Sequence, residues 1–238
     1  MHNALETALI ATVLSQVPDG NRFRRIDGTP TSRVIYFLPW HTPLKLARAA
    51  GLVALDFLAC YEMPNAVVSA VPAECVRAVN DVVDDAEALV REAGLTPSSL
   101  LMVAFSIGTF PATMLANRWG ATLCSVCSAD RGAPMIWESN AACKVKNAAL
   151  SMGYGLSDFE WAFRGYNPVD NLSGIGKRSA FLVSRNDPFV PAARTDALLE
   201  RLREVRPGME IHTCTNGHLK AMIASRTLQA EMGRSFLF

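Results

Sequence analysis

The sequence predicts an α/β fold, a mostly parallel central sheet with helices on both faces. Two observations carry this. Short apolar, β-branched runs recur along the chain, and helical patterns separate them, the alternation expected of a parallel sheet covered by its own crossovers. The chain has 238 residues, half of them hydrophobic, enough to bury a sizeable core within one domain spanning 1–238.

Taken in order, the stretch from Ala4 to Val17 is apolar but carries Glu6 and lacks a basic leader. It is also too short to span a bilayer, so it reads as an amphipathic helix packed on the domain. Strands are expected at 33–38, 53–60, 99–105, 122–128, 180–184 and 209–214. One or two further edge strands around Phe23 to Ile26 are a weaker expectation, because Gly28-Thr29-Pro30 follows. Thr42 followed by Pro43 reads as an N-cap with proline at the first helical position, opening a short helix to Ala50. From Val76 onward, Val79, Val83, Ala86, Val90 and Ala93 form one apolar stripe that Gly94 closes. Helical patterns also follow Ser106, Pro191 and His218.

One region breaks the alternation. Between Gly132 and Lys177 the chain carries Met135, Trp137, Met152, Tyr154, Phe159, Trp161, Phe163 and Tyr166 without a clear strand. A small helical insertion at about 133–176 is expected there, over the sheet edge where α/β folds place their ligands. Trp137 and Trp161, with Trp40 and His41, are candidate walls of a substrate pocket. The alternative is that these aromatics only pack the insertion onto the domain.

Charge and cysteine content narrow the function classes. With 23 basic and 22 acidic residues, no field draws in nucleic acid or an anionic membrane surface. No apolar run approaches the roughly 20 residues of a membrane span. A chain with this much core does not need its six cysteines as disulfide staples. Cys124 and Cys127 spell Cys-x-x-Cys, but among small, β-prone residues and without a second pair at zinc spacing. A buried strand with reduced thiols is expected, in a soluble cytoplasmic protein with no metal or organic cofactor implied. A homodimer is left open.

The chemistry centres on Ser106. The string Ala104-Phe105-Ser106-Ile107-Gly108 runs from a strand-like segment into a helical one. A turn this sharp strains the serine backbone and needs small residues two before and two after it, here Ala104 and Gly108. It also sets the Ile107 amide at a helix start, where unpaired N–H groups stabilise a developing oxyanion. A helix N-cap is the competing reading of Ser106.

These residues resemble the α/β-hydrolase family, in which the nucleophile follows the fifth strand and an acid and a histidine follow later strands. The segment Ser184-Arg185-Asn186-Asp187-Pro188-Phe189-Val190-Pro191 is similar to the family's acid loop, and Asn216-Gly217-His218 to its histidine loop. The resemblance covers roughly 30–230. It implies Ser106 as nucleophile, His218 as general base and Asp187 as orienting acid, with Asp130 as a rival acid after the strand ending near Ser128. It further implies an α/β-hydrolase fold with a lid, acting on a small-molecule ester or thioester with an apolar acyl or alcohol group through an acyl-serine. A thioesterase or acyltransferase on a carrier-bound substrate is one alternative, to which Lys144, Lys146 and Arg164 would be relevant. A non-catalytic ligand-binding member is another. Two features depart from the family. Leu38-Pro39-Trp40-His41-Thr42-Pro43 stands where a His-Gly pair is usual, leaving the Trp40 or His41 amide to complete the oxyanion hole. Pro111 sits early in the helix after Ser106, where it removes a backbone donor.

Overall fold

A computed structural model of the chain describes residues 22–234. The helix expected over Ala4 to Val17 lies outside the described residues. Among those residues seven strands form one sheet: β1 (Arg24–Asp27), β2 (Val34–Phe37), β3 (Ala59–Glu62), β4 (Leu101–Phe105), β5 (Thr122–Val126), β6 (Ala180–Ser184) and β7 (Glu210–Cys214). Their spatial order is β1-β3-β2-β4-β5-β6-β7. All neighbours pair in parallel except β1 with β3. β1 is therefore an edge strand where the Phe23 to Ile26 stretch suggested one or two, and its antiparallel direction is set by its pairing with β3.

Eight α-helices connect and cover the sheet among the described residues: α1 (Leu44–Ala49), α2 (Pro72–Glu92), α3 (Thr109–Trp119), α4 (Gly132–Glu138), α5 (Cys143–Ser151), α6 (Leu156–Ala162), α7 (Ala192–Val205) and α8 (His218–Arg234). Alternate residues of β2 and β4 feed two separate cores, as period-two side chains must. Ile35, Phe37, Met102 and Ala104 pack toward α2, α3 and α7. Val34, Tyr36, Leu101, Val103 and Phe105 pack toward α1 and α8.

The structure revises three local expectations. The run 53–60 does not form one strand: the Ala54 and Leu55 amides go to Tyr36 Oη at 3.2 and 3.1 Å, and the ladder starts only at Ala59. Thr42 does not cap α1. Its hydroxyl goes to the Trp40 carbonyl at 3.2 Å, and the Leu44 amide donates instead to Glu62 Oε1 at 2.7 Å. The helix read from Val76 begins at Pro72, with proline in its first turn, and Gly94 closes it at φ 64°.

Between β5 and β6 the chain forms α4, α5 and α6 without a strand. Ala133, Ile136, Ala142, Ala149, Phe159 and Phe163 bury a small core of their own against Phe110 of α3 and Cys75 of α2. Trp137 joins it through the Phe159 ring, 5.0 Å away, and Tyr166 Oη accepts a hydrogen bond from Asn80 of α2 at 3.0 Å.

Candidate active site

Ser106 directly follows β4, the fourth of the described strands, at the carboxyl edge of the sheet. Its φ of 52° lies in the left-handed region, which a residue with a Cβ enters only at a cost of about 1–3 kcal/mol. The close approach that forces this turn is visible at Gly108. A Cβ there would lie 2.6 Å from the Phe37 carbonyl oxygen and 2.8 Å from that of Leu38. Ala104, at the other flank, is fully buried. Both small residues sit where strand and helix crowd.

The turn is held from below by side chains that local sequence patterns did not single out. Thr109 Oγ1, fully buried, donates to the Ser106 carbonyl at 2.5 Å. Ser128 Oγ donates in turn to Thr109 Oγ1 at 3.0 Å. A single turn of 3₁₀ helix over Ser106–Gly108 precedes α3, so Pro111 is the third residue of the helix proper. It falls within the first turn, where a missing N–H is tolerated.

Asp187 and His218 meet because the loops after β6 and β7 are clipped together. The Arg185 amide donates to the Cys214 carbonyl at 2.9 Å, Asn186 Nδ2 donates to the Thr215 carbonyl at 3.0 Å, and Ser184 Oγ donates to the Asn216 carbonyl. Asp187 Oδ1 accepts the amides of Phe189 and Val190 at 2.8 and 3.0 Å. Its other oxygen, Oδ2, lies 2.5 Å from His218 Nδ1. Both side chains are shielded from solvent, and the Phe189 ring meets the imidazole edge-on at 5.2 Å.

Asp130 is placed differently. It is buried after β5, 3.3 Å from Arg194 Nη1 of α7, with Oδ1 lacking a hydrogen-bond partner. Burial pushes its carboxyl above the usual carboxylate range, and Arg194 offsets only part of that. The carboxylate facing His218 is that of Asp187.

Cys127 was expected as one half of a buried pair in a strand. It lies just past β5, at φ 55°. Its thiol sulfur, a His218 ring nitrogen and an Asp187 carboxylate oxygen lie within 4.8 Å of one another. This is the one donor set among the described residues close enough to share an ion, although Nδ1 and Oδ2 already bond each other. The described cysteines form no disulfide.

Ser106 and His218 line one cavity of about 270 Å³. His41, Ser106 and Cys127 are the non-glycine residues with positive φ among those described, and all three line it. Strained backbone of this kind concentrates at functional sites. Trp40, His41 and Ile107 also border the cavity, because the loop after β2 crosses over the Ser106 turn at Gly108. Trp137 and Trp161 do not. Trp137 is turned into the insertion's core, and Trp161 is 76% exposed. The insertion contributes Met135, Ile136, Ala142 and Phe163 instead. Among the described lining residues there is no Lys, Arg, Asp or Glu.

No protein-family model matches the chain, and no curated protein matches it in sequence. Solved structures do. TT1662 from Thermus thermophilus superposes with a TM-score of 0.59 at 14% identity, over 92% of this chain and 97% of that one. Esterase B from Lactobacillus rhamnosis gives 0.57 at 13% identity, over 98% and 91%. Dipeptidyl peptidase 4 from Porphyromonas gingivalis gives 0.58 at 10% identity over 90% of this chain, which spans about a third (33%) of the peptidase. Among the described residues no helix is long and apolar enough to cross a membrane. The parallel sheet with its antiparallel edge strand, covered by helices and matched by structures of an esterase and a peptidase, gives this chain the α/β-hydrolase fold.

Proposed function

We propose that the chain is a serine hydrolase that cleaves a carboxylic ester or thioester with an apolar acyl or alcohol group. The observation that carries this reading is a strained Ser106 sharing one apolar cavity with a His218 whose Nδ1 is held by Asp187 at 2.5 Å. A serine hydroxyl is a poor nucleophile at neutral pH and needs an adjacent imidazole to take its proton during attack. His218 Nε2 is the nitrogen left for that work, since Nδ1 is engaged by the carboxylate.

In the first step Ser106 Oγ bonds to the carbonyl carbon as its proton passes to His218. Asp187 stabilises the imidazolium, and the amides of Ile107 and of Trp40 or His41 take the oxyanion charge. Collapse expels the alcohol or thiol, which receives the proton from His218. Water, activated by the same imidazole, then releases the acid from Ser106. The likeness to an esterase and a peptidase favours hydrolysis. In this reading the 238 residues are one domain, and the helical segment at about 133–176 is its lid.

A fluorophosphonate probe tests the reading. Wild-type protein should label once per chain and Ser106→Ala not at all, with turnover of p-nitrophenyl esters falling about 10⁴-fold or more. Asp187→Asn should lower kcat about 10⁴-fold, and Asp130→Asn far less. Folded wild-type protein that neither labels nor turns over any ester would instead make the chain a ligand-binding member of the fold.

A further inference from the structure

We propose that Cys127, Asp187 and His218 form an inhibitory zinc site, in which the bound ion takes His218 out of use as a base. The binding stands apart from the serine hydrolase reading above, and only the loss of activity rests on it. The three donors come from the ends of successive strands: Cys127 follows β5, Asp187 lies in the loop after β6, and His218 opens α8 after β7. The Cys127 sulfur, a His218 ring nitrogen and an Asp187 carboxylate oxygen lie within 4.8 Å of one another, and all three side chains are shielded from bulk water. The cluster is braced from outside as well. The Cys127 amide donates to the Leu182 carbonyl at 2.8 Å, and Asp187 Oδ1 accepts the Phe189 and Val190 amides. Outer hydrogen bonds of this kind are what keep metal ligands in place.

Ligand type and charge select the ion. Thiolate, imidazole and carboxylate together suit zinc, whereas Mg²⁺ and Ca²⁺ take oxygen donors. The thiolate and the carboxylate bring two negative charges and the neutral imidazole none, so a divalent ion makes the whole site neutral. That matters here, because among the described residues lining the cavity there is no Lys, Arg, Asp or Glu and an uncompensated charge is costly to bury. Without Cys127 the same ion leaves a net positive charge, which makes the thiol the deciding ligand. Its proton passes to solvent as the sulfur binds.

The geometry needs only small adjustments. Zinc holds these ligands at about 2.0–2.3 Å, so in a tetrahedral site they stand about 3.3–3.8 Å apart. From 4.8 Å or less the sulfur reaches that spacing by a movement of about 1 Å, and the Asp187 Oδ2 to His218 Nδ1 pair, at 2.5 Å, opens by about as much. One hydrogen bond is exchanged for three ligand bonds. The cavity that Cys127 and His218 line admits the ion and supplies water to the fourth position, as is usual for zinc with three protein ligands. Binding at Nδ1 breaks the contact with Asp187, and binding at Nε2 occupies the nitrogen that serves Ser106. Either silences the base.

Two metal probes test this, Zn²⁺ on the rate of fluorophosphonate labelling at Ser106 and Co²⁺ on the absorption spectrum, each protein being compared with its own metal-free state. Zn²⁺ should slow labelling about tenfold or more, EDTA should restore it, and Mg²⁺ at the same concentration should have no effect. Co²⁺ should give a sulfur-to-metal charge-transfer band. Cys127→Ala should need about tenfold more Zn²⁺ or beyond for the same slowing and should lose the band; Cys127→Ser serves if the alanine variant does not fold. Cys143→Ser, which removes the exposed thiol, should change neither readout. Equal slowing of wild type and Cys127→Ala, a band that survives loss of Cys127, or no band at all would overturn the site. A band that depends on Cys127 while labelling proceeds at full rate overturns the inhibition. Metal-free protein that never labels removes the hydrolase reading instead, and the band alone then decides whether the site exists.

Discussion

Thr109 shows how much of a site can depend on one buried hydroxyl. Its Oγ1 donates to the Ser106 carbonyl at 2.5 Å, so it helps hold a backbone conformation that costs energy for any residue with a Cβ. Thr109→Val keeps the shape and removes the donor. It should lower kcat roughly tenfold with little change in KM, about 1.4 kcal/mol and the size of one hydrogen bond. Thr109→Ser restores the hydroxyl and should recover most of the rate. If the serine variant is as impaired as the valine variant, the contribution comes from the methyl group's packing instead. Asp187 makes the same point for electrostatics. Two amides fix one carboxylate oxygen, which aims the other at His218. Asp130, in contrast, is committed to Arg194 of α7, which also approaches Glu138 of α4 at 3.3 Å. That cluster joins the end of β5 to the insertion and to α7.

Among elements, the junction of β2, β4 and α3 decides the site's geometry. Gly108 is required there because a methyl group would collide with the backbone of Phe37 and Leu38, atoms that cannot step aside without moving β2. Gly108→Ala should therefore cost about 1–3 kcal/mol of stability, as overpacking does, measurable by urea unfolding. It should also reduce kcat, since the shift would carry the Trp40–His41 loop away from Ser106. Unchanged stability would mean that β2 yields easily and the junction is not tight. The insertion is a second element-level feature. Its aromatic residues divide between its own core, the cavity and solvent, so Phe163 reaches the cavity while Trp161 faces out.

Across the whole molecule, the sheet separates two cores, and the cysteines report on their integrity. Cys60 and Cys124 are buried on the α1–α8 side, and Cys75 lies in the insertion's core. Burial pushes all three thiols up to about 12, leaving little thiolate at neutral pH. Cys143, by contrast, is exposed. A thiol reagent followed by mass mapping should modify Cys143 first and Cys60, Cys75 and Cys124 only on unfolding. Early modification of those three would show that the cores open below the global transition.

The sequence by itself determined the alternation of strands and helices and the sharp turn at Ser106, and its resemblance to the α/β-hydrolase family implied the order Ser106, Asp187, His218 at strand ends. The first two are local: period-two and helical patterns and small residues at Ala104 and Gly108 can be read within a few positions. Only the tertiary structure decided which carboxylate faces His218, that Glu62 rather than Thr42 serves the start of α1, and that Cys127 and Thr109 join the site. It likewise turned Trp137 and Trp161 away from the cavity that Trp40 and His41 border. Apart from Thr109, only three residues from Ser106, such pairings join residues distant in the chain, and they depend on how loops cross at the sheet's carboxyl edge. A residue's own periodicity says which face it occupies, but not what it meets there.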